Sequence, residues 1–351
     1  MTVKDATDIA KRWVHETLHG TIGFSGAYLG GSISFLDDNM VFPNGSDIDL
    51  RIVMDTRSPE PVHPRQHILY ENIILEPSFR DAADLLDADG ISKDPCKGCD
   101  LWLGKIVYDP TGILSTVHGE VKEKYTRQEY VLARRESLAR QFKKATDELL
   151  STSDDDEENG FPRLFLQAVS KLGQVPMVAT LANVKLSDVT IGAGAVFAEW
   201  GYDGLREEIL AAFGCGEFSE STIRIQRQRM IDAFDYANKI IRDRAVAHDF
   251  LDPVLRERWL SKVDRMIDSG NSRDAMLCIY TVHSIAASAI RNQGPDHEKN
   301  RWRKLYRMTL TDLGLLPIEA VHKKVEKLSN LFVRIHEIAI QKIGTDPRIK
   351  R

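Results

Sequence analysis

The hydrophobic rhythm of the chain changes once along its length. An opening segment, MTVKDATDIAKRWVHETL, places Ile9, Trp13, Val14 and Leu18 at helical spacing. Short strand-like runs follow. Ala27, Tyr28 and Leu29 read as the end of a strand, and Ser32 to Leu36 can open a helix. In SDIDLRIVM the alternation is strict: Ile48, Leu50, Ile52 and Met54 face one way, and Asp47 and Asp49 face the other. A second strand core, Ile73-Ile74-Leu75, is expected to end at Glu76, with Pro77 stopping further pairing. LWLGKIVYDPTG reads as a strand ending at Tyr108, followed by an Asp109-Pro110-Thr111-Gly112 turn and a helix.

From about residue 126 the period is helical. Val131, Leu138, Phe142 and Leu149 form one stripe, and the acidic run STSDDDEENG after it cannot bury surface and reads as a linker. Asp203-Gly204 and Gly214 bound a further helix. A long proline-free segment then carries Ile223, Met230, Ile231, Phe234, Ala237, Ile240 and Ile241, and Pro253 fits the first turn of the next helix. In the last one Ile318, Val321, Val325, Leu328, Phe332, Ile335 and Ile338 share a face between Pro317 and Gly344. The pattern therefore predicts an α+β chain, a mixed-sheet domain followed by an α-helical bundle.

Composition narrows the function. A chain of 351 residues suits two domains, and 42% apolar with 28% charged residues is ordinary for a globular protein. A formal net charge of −5 argues against a long nucleic-acid footprint, which needs a basic stripe. No apolar run approaches the ~20 residues of a membrane span, and the N-terminus lacks a secretory apolar core, so a cytoplasmic protein is expected. The four cysteines are too scattered for a disulfide scaffold. Cys96 and Cys99 have zinc-knuckle spacing, but no second pair follows; a full ligand set would need His118 or another histidine, so the pair reads as inert.

The two aspartates carry the chemistry. Along a strand their side chains lie roughly 7 Å apart on one face. Two like charges so placed repel, and they persist most easily with a cation between them. All-oxygen ligands suit a hard ion, above all Mg²⁺. Just upstream, Gly30 and Gly31 allow positive φ and close backbone approach, while N–H groups at a helix start attract phosphate. Ser32 adds a hydroxyl donor at the same place.

Gly30-Gly31-Ser32, then Ser46-Asp47-Ile48-Asp49-Leu50, resembles the signature of the nucleotidyltransferase superfamily that includes DNA polymerase beta and the antibiotic-modifying kanamycin and streptomycin enzymes. The gap from Ser32 to Asp47 is longer than is usual there, and the Pro43-Asn44-Gly45 turn signal places the excess in a surface loop. The resemblance extends over about residues 20 to 145, and beyond that it is architectural. It implies a catalytic domain over 1–150 and an α-helical substrate-binding domain over 151–351.

It also implies a third acid on a neighbouring strand. Glu76 matches best, either completing the metal site or accepting the proton of the attacking hydroxyl, and Glu71 is the alternative. The implied reaction is nucleotidyl transfer: a hydroxyl attacks the α-phosphorus of a nucleoside triphosphate, ATP by default, and pyrophosphate leaves. Asp47, Asp49 and Glu76 would hold Mg²⁺. Gly30, Gly31 and Ser32 would hold the β and γ phosphates. Lys105, Arg134 and Arg135 are further candidate cations for the triphosphate, and Asp109 is either functional or a turn former.

The expected acceptor is a small-molecule hydroxyl of the aminoglycoside type. A protein side chain, as in toxin–antitoxin adenylyltransferases, is the alternative within the same chemistry. In a different class, Arg242 and His248 resemble the Arg-x4–6-His element of HEPN ribonucleases, a spacing that Arg291 and His297 repeat.

Overall fold

A computed structural model of the chain describes residues 1–43, 46–55, 67–152, 161–184, 189–243 and 249–351. It divides into two compact units, 1–134 with 348–351, and 135–347. The first is a mixed α/β sheet domain, and the second is an α-helical bundle. The acidic run at 153–160, His248, and Asn44 with Gly45 of the expected turn lie outside the described residues.

The first unit opens with α1 (Val3–Leu18). Thr2 and Asp5 form a reciprocal capping box at its start, which satisfies two N–H groups the helix itself cannot. The strands are β1 (Phe24–Leu29), β2 (Asp47–Met54), β3 (Ile68–Tyr70), β4 (Ile73–Asp81) and β5 (Lys105–Tyr108). Their order in the sheet is β3-β4-β2-β1-β5. Among the described strands only β2 and β4 run parallel; the other neighbours are antiparallel. Along β2 the alternation does what its period requires. Ile48, Leu50, Ile52 and Met54 pack with Val3, Ala6, Trp13 and Val14 of α1 in one buried core, so α1 covers the apolar face of the sheet. The acids of β2 are left on the opposite face.

Two local expectations need correcting. Pro77 does not stop β4, which stays in register with β2 from Ile74 to Asp81 and pairs Pro77 with Leu50. Among the described residues β3 reaches β4 only as far as Leu75, so beyond it one flank of β4 carries no ladder, and a proline is tolerated in such an edge. The segment after the glycines is a single 3₁₀ turn, Ser32–Ser34, rather than a helix running to Leu36.

Between β4 and β5 lie α2 (Ala88–Lys93) and α3 (Pro95–Leu103). Asp94 accepts from the Cys96 and Lys97 N–H groups and Pro95 occupies the first turn, so the start of α3 is defined locally. After β5, Asp109 accepts from the Ser115 N–H at 2.7 Å and the Ser115 hydroxyl at 2.6 Å, which caps α4 (Ile113–Tyr125). The turn-forming reading of Asp109 accounts for it fully.

Arg134, on α5 (Gln128–Leu150), is fully buried. Its guanidinium donates to Ser92 O and Tyr125 O, both at 2.7 Å, and lies 3.6 Å from the Tyr125 ring centroid. It is therefore an interior tie between α2, α4 and α5, with no access to a ligand. Arg134→Met is expected to leave both carbonyls short of a donor and to cost about 2–3 kcal/mol. A thermal melt would show a drop of roughly 5–10 °C.

The second unit holds α6 (Phe161–Ala179), α7 (Val189–Trp200), α8 (Gly204–Phe213), α9 (Glu220–Asp243), α10 (Arg256–Asp268), α11 (Ala275–Gln293), α12 (Asp296–Asp312) and α13 (Ile318–Ile343). Gly214 ends α8 at φ 114°, and Pro317 and Gly344 flank α13 as their sequence positions predict. The apolar stripes of α9 and α13 are buried. Inside the bundle a polar chain links Asp312, Gln226, Thr309 and His283. Burial, and to a lesser degree the Arg229 charge, push His283 down to about 3, so it is a neutral structural histidine. Arg291 and His297 fall on separate helices, α11 and α12. Among the described residues no helix is long and apolar enough to cross a membrane.

Candidate metal centre

The parallel register sets Asp49 beside Glu76. Adjacent strands lie about 4.8 Å apart, so side chains that share a face at paired positions meet. Asp47, two residues before Asp49, completes the group: one carboxylate oxygen from each of Asp47, Asp49 and Glu76 lies within 4.8 Å of the others. Asp47 is buried, and Asp49 and Glu76 are half-buried. Among the described residues this is the one group of three or more potential metal-ligating side chains that converge, and Cys96 and Cys99 take no part in such a group.

The glycine turn closes directly over this group. Gly30 N–H donates to the Asp49 carbonyl at 2.9 Å as β1 leaves the sheet. Gly31 has φ 61° and ψ −147°, a region open essentially to glycine alone. A Cβ at Gly31 would overlap the Asp49 carboxylate, and one at Gly30 would overlap Asp100. Both glycines are thus required by close approach of an acid to the backbone. Ser32 is half-buried in the 3₁₀ turn, and the Ser34 hydroxyl donates to Gly31 O at 2.7 Å and stiffens it.

The alternative third acid is elsewhere. Glu71 and Asn72 both have positive φ, 46° and 63°, and form the two-residue turn between β3 and β4. There Glu71 pairs with Arg12 of α1 at 2.7 Å. Glu71→Gln is expected to leave divalent-cation binding unchanged, whereas Glu76→Gln is expected to weaken it about tenfold or more; calorimetric titration of the two purified variants with Mg²⁺ provides the check.

Arg51, Arg80, Asp100 and His67 surround the acids, and sequence reasoning assigned none of them. Arg51 follows Asp49 by two residues, so it shares the acidic face. It donates Nε to Asp100 Oδ2 at 2.5 Å, Nη1 to the Ser78 hydroxyl at 2.8 Å and Nη2 to Asp49 Oδ1 at 3.2 Å. Burial works against its charge, but Asp100 and Asp49 outweigh that and hold its pKa above the ordinary arginine value. Burial, then the Asp100 charge, push the neighbouring Tyr28 hydroxyl up to about 12, so it stays protonated. His67 is buried, and its Nε2 lies 3.7 Å from Glu76 Oε2.

The period-two rule that placed Asp47 and Asp49 on one face also put Arg51 there, and was the signal for it. Asp100 had none of that kind, because α3 brings it in from 49 residues away. The earlier candidate cations are engaged elsewhere: Lys105 pairs with Asp38 at 2.9 Å and donates to Leu36 O, while Arg135 pairs with Glu136 at 3.5 Å.

Three carboxylates in mutual reach suit a divalent cation with oxygen preference. Among the described residues, Arg51 pairs with both Asp49 and Asp100, and Arg80 lies 4.0 Å from Asp100. No family model matches this chain, and no curated protein matches it.

Proposed function

We propose that the chain is a Mg²⁺-dependent nucleotidyltransferase. It moves a nucleoside monophosphate, AMP by default, from a triphosphate to a hydroxyl of a small molecule of the aminoglycoside type and releases pyrophosphate. The observation that carries this reading is the convergence of Asp47, Asp49 and Glu76 within 4.8 Å, on the sheet face against which the Gly30-Gly31 turn closes.

Asp47 and Asp49 would hold the cation, and Glu76 would complete the set or take up the proton of the attacking hydroxyl. When bound, the cation offsets charge on the transferring phosphoryl group and aligns the attacking and leaving oxygens. The glycine turn and the Ser32 hydroxyl hold the β and γ phosphates. A bond forms between the acceptor oxygen and the α-phosphorus, and the bond to the bridging oxygen breaks. The leaving pyrophosphate carries the displaced negative charge. Positioning and charge compensation supply most of the acceleration, and no covalent enzyme intermediate is needed.

The test is pyrophosphate release from a panel of nucleoside triphosphates and hydroxyl acceptors, with Mg²⁺ and with chelator. Metal-dependent release with at least one pairing is expected. Turnover that survives full chelation would overturn the reading.

A further inference from the structure

The glycine turn does not face open solvent. Gly31 N–H points at Asp100 Oδ1 at 3.4 Å, Arg51 Nε donates to Asp100 Oδ2 at 2.5 Å, and Arg80 Nη2 lies 4.0 Å from that same oxygen. A backbone N–H and two guanidiniums around one anionic group are the donors that recognise a phosphate oxygen. Here they converge on a carboxylate of the protein itself. Gly30 makes this approach possible, since any Cβ there would collide with Asp100. The Asp100 side chain is 15% exposed and that of Arg51 13%, so the pair sits just below the surface, within reach of an incoming ligand.

A fourth acid beside Asp47, Asp49 and Glu76 has an electrostatic cost that apolar packing at this position would avoid. We propose that Asp100 is an internal placeholder in a polyphosphate site: Gly31 N–H, Arg51 and Arg80 bind terminal phosphate oxygens of the ligand, and Asp100 releases those donors when it arrives. This rests on the reading of the glycine turn as a phosphate grip. Arg51 also touches Asp49, so the ligand that captures it lies next to the cation site. Asp100 repels an uncompensated polyphosphate, and a chelated divalent cation offsets that repulsion. The site therefore favours metal-bound polyphosphate over the free anion.

Calorimetric titration of the full chain with inorganic tripolyphosphate, in chelator, tests this. Removing one negative charge a few ångströms from the anion is expected to make Asp100→Asn bind at least about tenfold more tightly than the parent. Asp100→Ser is expected to show the same gain, Asp100→Glu is expected to match the parent, and Arg51→Gln placed on Asp100→Asn is expected to abolish the gain. Far-UV circular dichroism verifies that each variant is folded. Should the parent bind tripolyphosphate while the folded Asn and Ser variants bind it equally or more weakly, the placeholder role is overturned and the phosphate grip stands. Should parent and variants all fail to bind, with or without Mg²⁺, both are overturned.

Discussion

Asp49→Asn is expected to fold normally and to lose about three orders of magnitude in pyrophosphate release. The replacement keeps the size of the side chain and an oxygen that can still accept from Arg51, so the hydrogen bond at 3.2 Å has a successor. What disappears is one negative charge from a group whose oxygens lie within 4.8 Å of each other. Two unit charges about 4 Å apart interact by about 4 kcal/mol at an effective dielectric of about 20. A divalent ion doubles that figure, and solvent at the half-buried Asp49 reduces it again. A net loss of about 4 kcal/mol in the reacting complex corresponds to about a thousandfold in rate.

Stability should move the other way. Without metal the three acids repel one another, so in chelator the variant is expected to melt no lower than the parent. Added Mg²⁺ should raise the melting temperature of the parent and leave that of the variant where it was. A variant that keeps parental turnover would remove Asp49 from the cation site.

The second large effect is expected at Gly31→Ala. Its backbone conformation costs an L-residue about 2 kcal/mol, and its Cβ would strike the Asp49 carboxylate. The first term predicts a fall of roughly 5 °C in melting temperature. On the proposed function, the second displaces a proposed cation ligand and predicts a loss of about a hundredfold in turnover, since positioned reactions tolerate little misplacement.

Gly20→Ala separates the two terms. Gly20 also has positive φ, 83°, but a Cβ there meets nothing within 4 Å. It should lose about 1 kcal/mol of stability and keep its activity. Equal activities for the two variants would mean that the close approach at Gly31 serves no chemical purpose.

What could be read from the residues alone was whatever depends on backbone period. Strict alternation from Asp47 to Met54 dictates one apolar and one acidic face, because successive strand residues point to opposite sides whatever the rest of the chain does. The stripes of α1, α9 and α13 followed from the helical period in the same way, as did the order of a sheet domain before a helical bundle. Helix ends such as those at Gly214 and Gly344 were legible because the residues that set them act within a few positions. Pro77 was misjudged because whether a proline breaks a strand depends on what lies along its flank, and no local pattern carries that.

Local rules alone left Glu71 and Glu76 undecided; the parallel register of β2 with β4 separated them by setting Asp49 beside Glu76 and turning Glu71 out to Arg12. Asp100 was invisible for the same reason, since α3 had to pack before its carboxylate could meet Arg51. By itself the sequence determined which face of β2 is charged and that a glycine turn precedes it. Only the tertiary structure decided which third acid joins the pair and which internal carboxylate sits against the turn. Side-chain direction is a property of the backbone repeat, whereas partners far apart in the chain are chosen by register and packing.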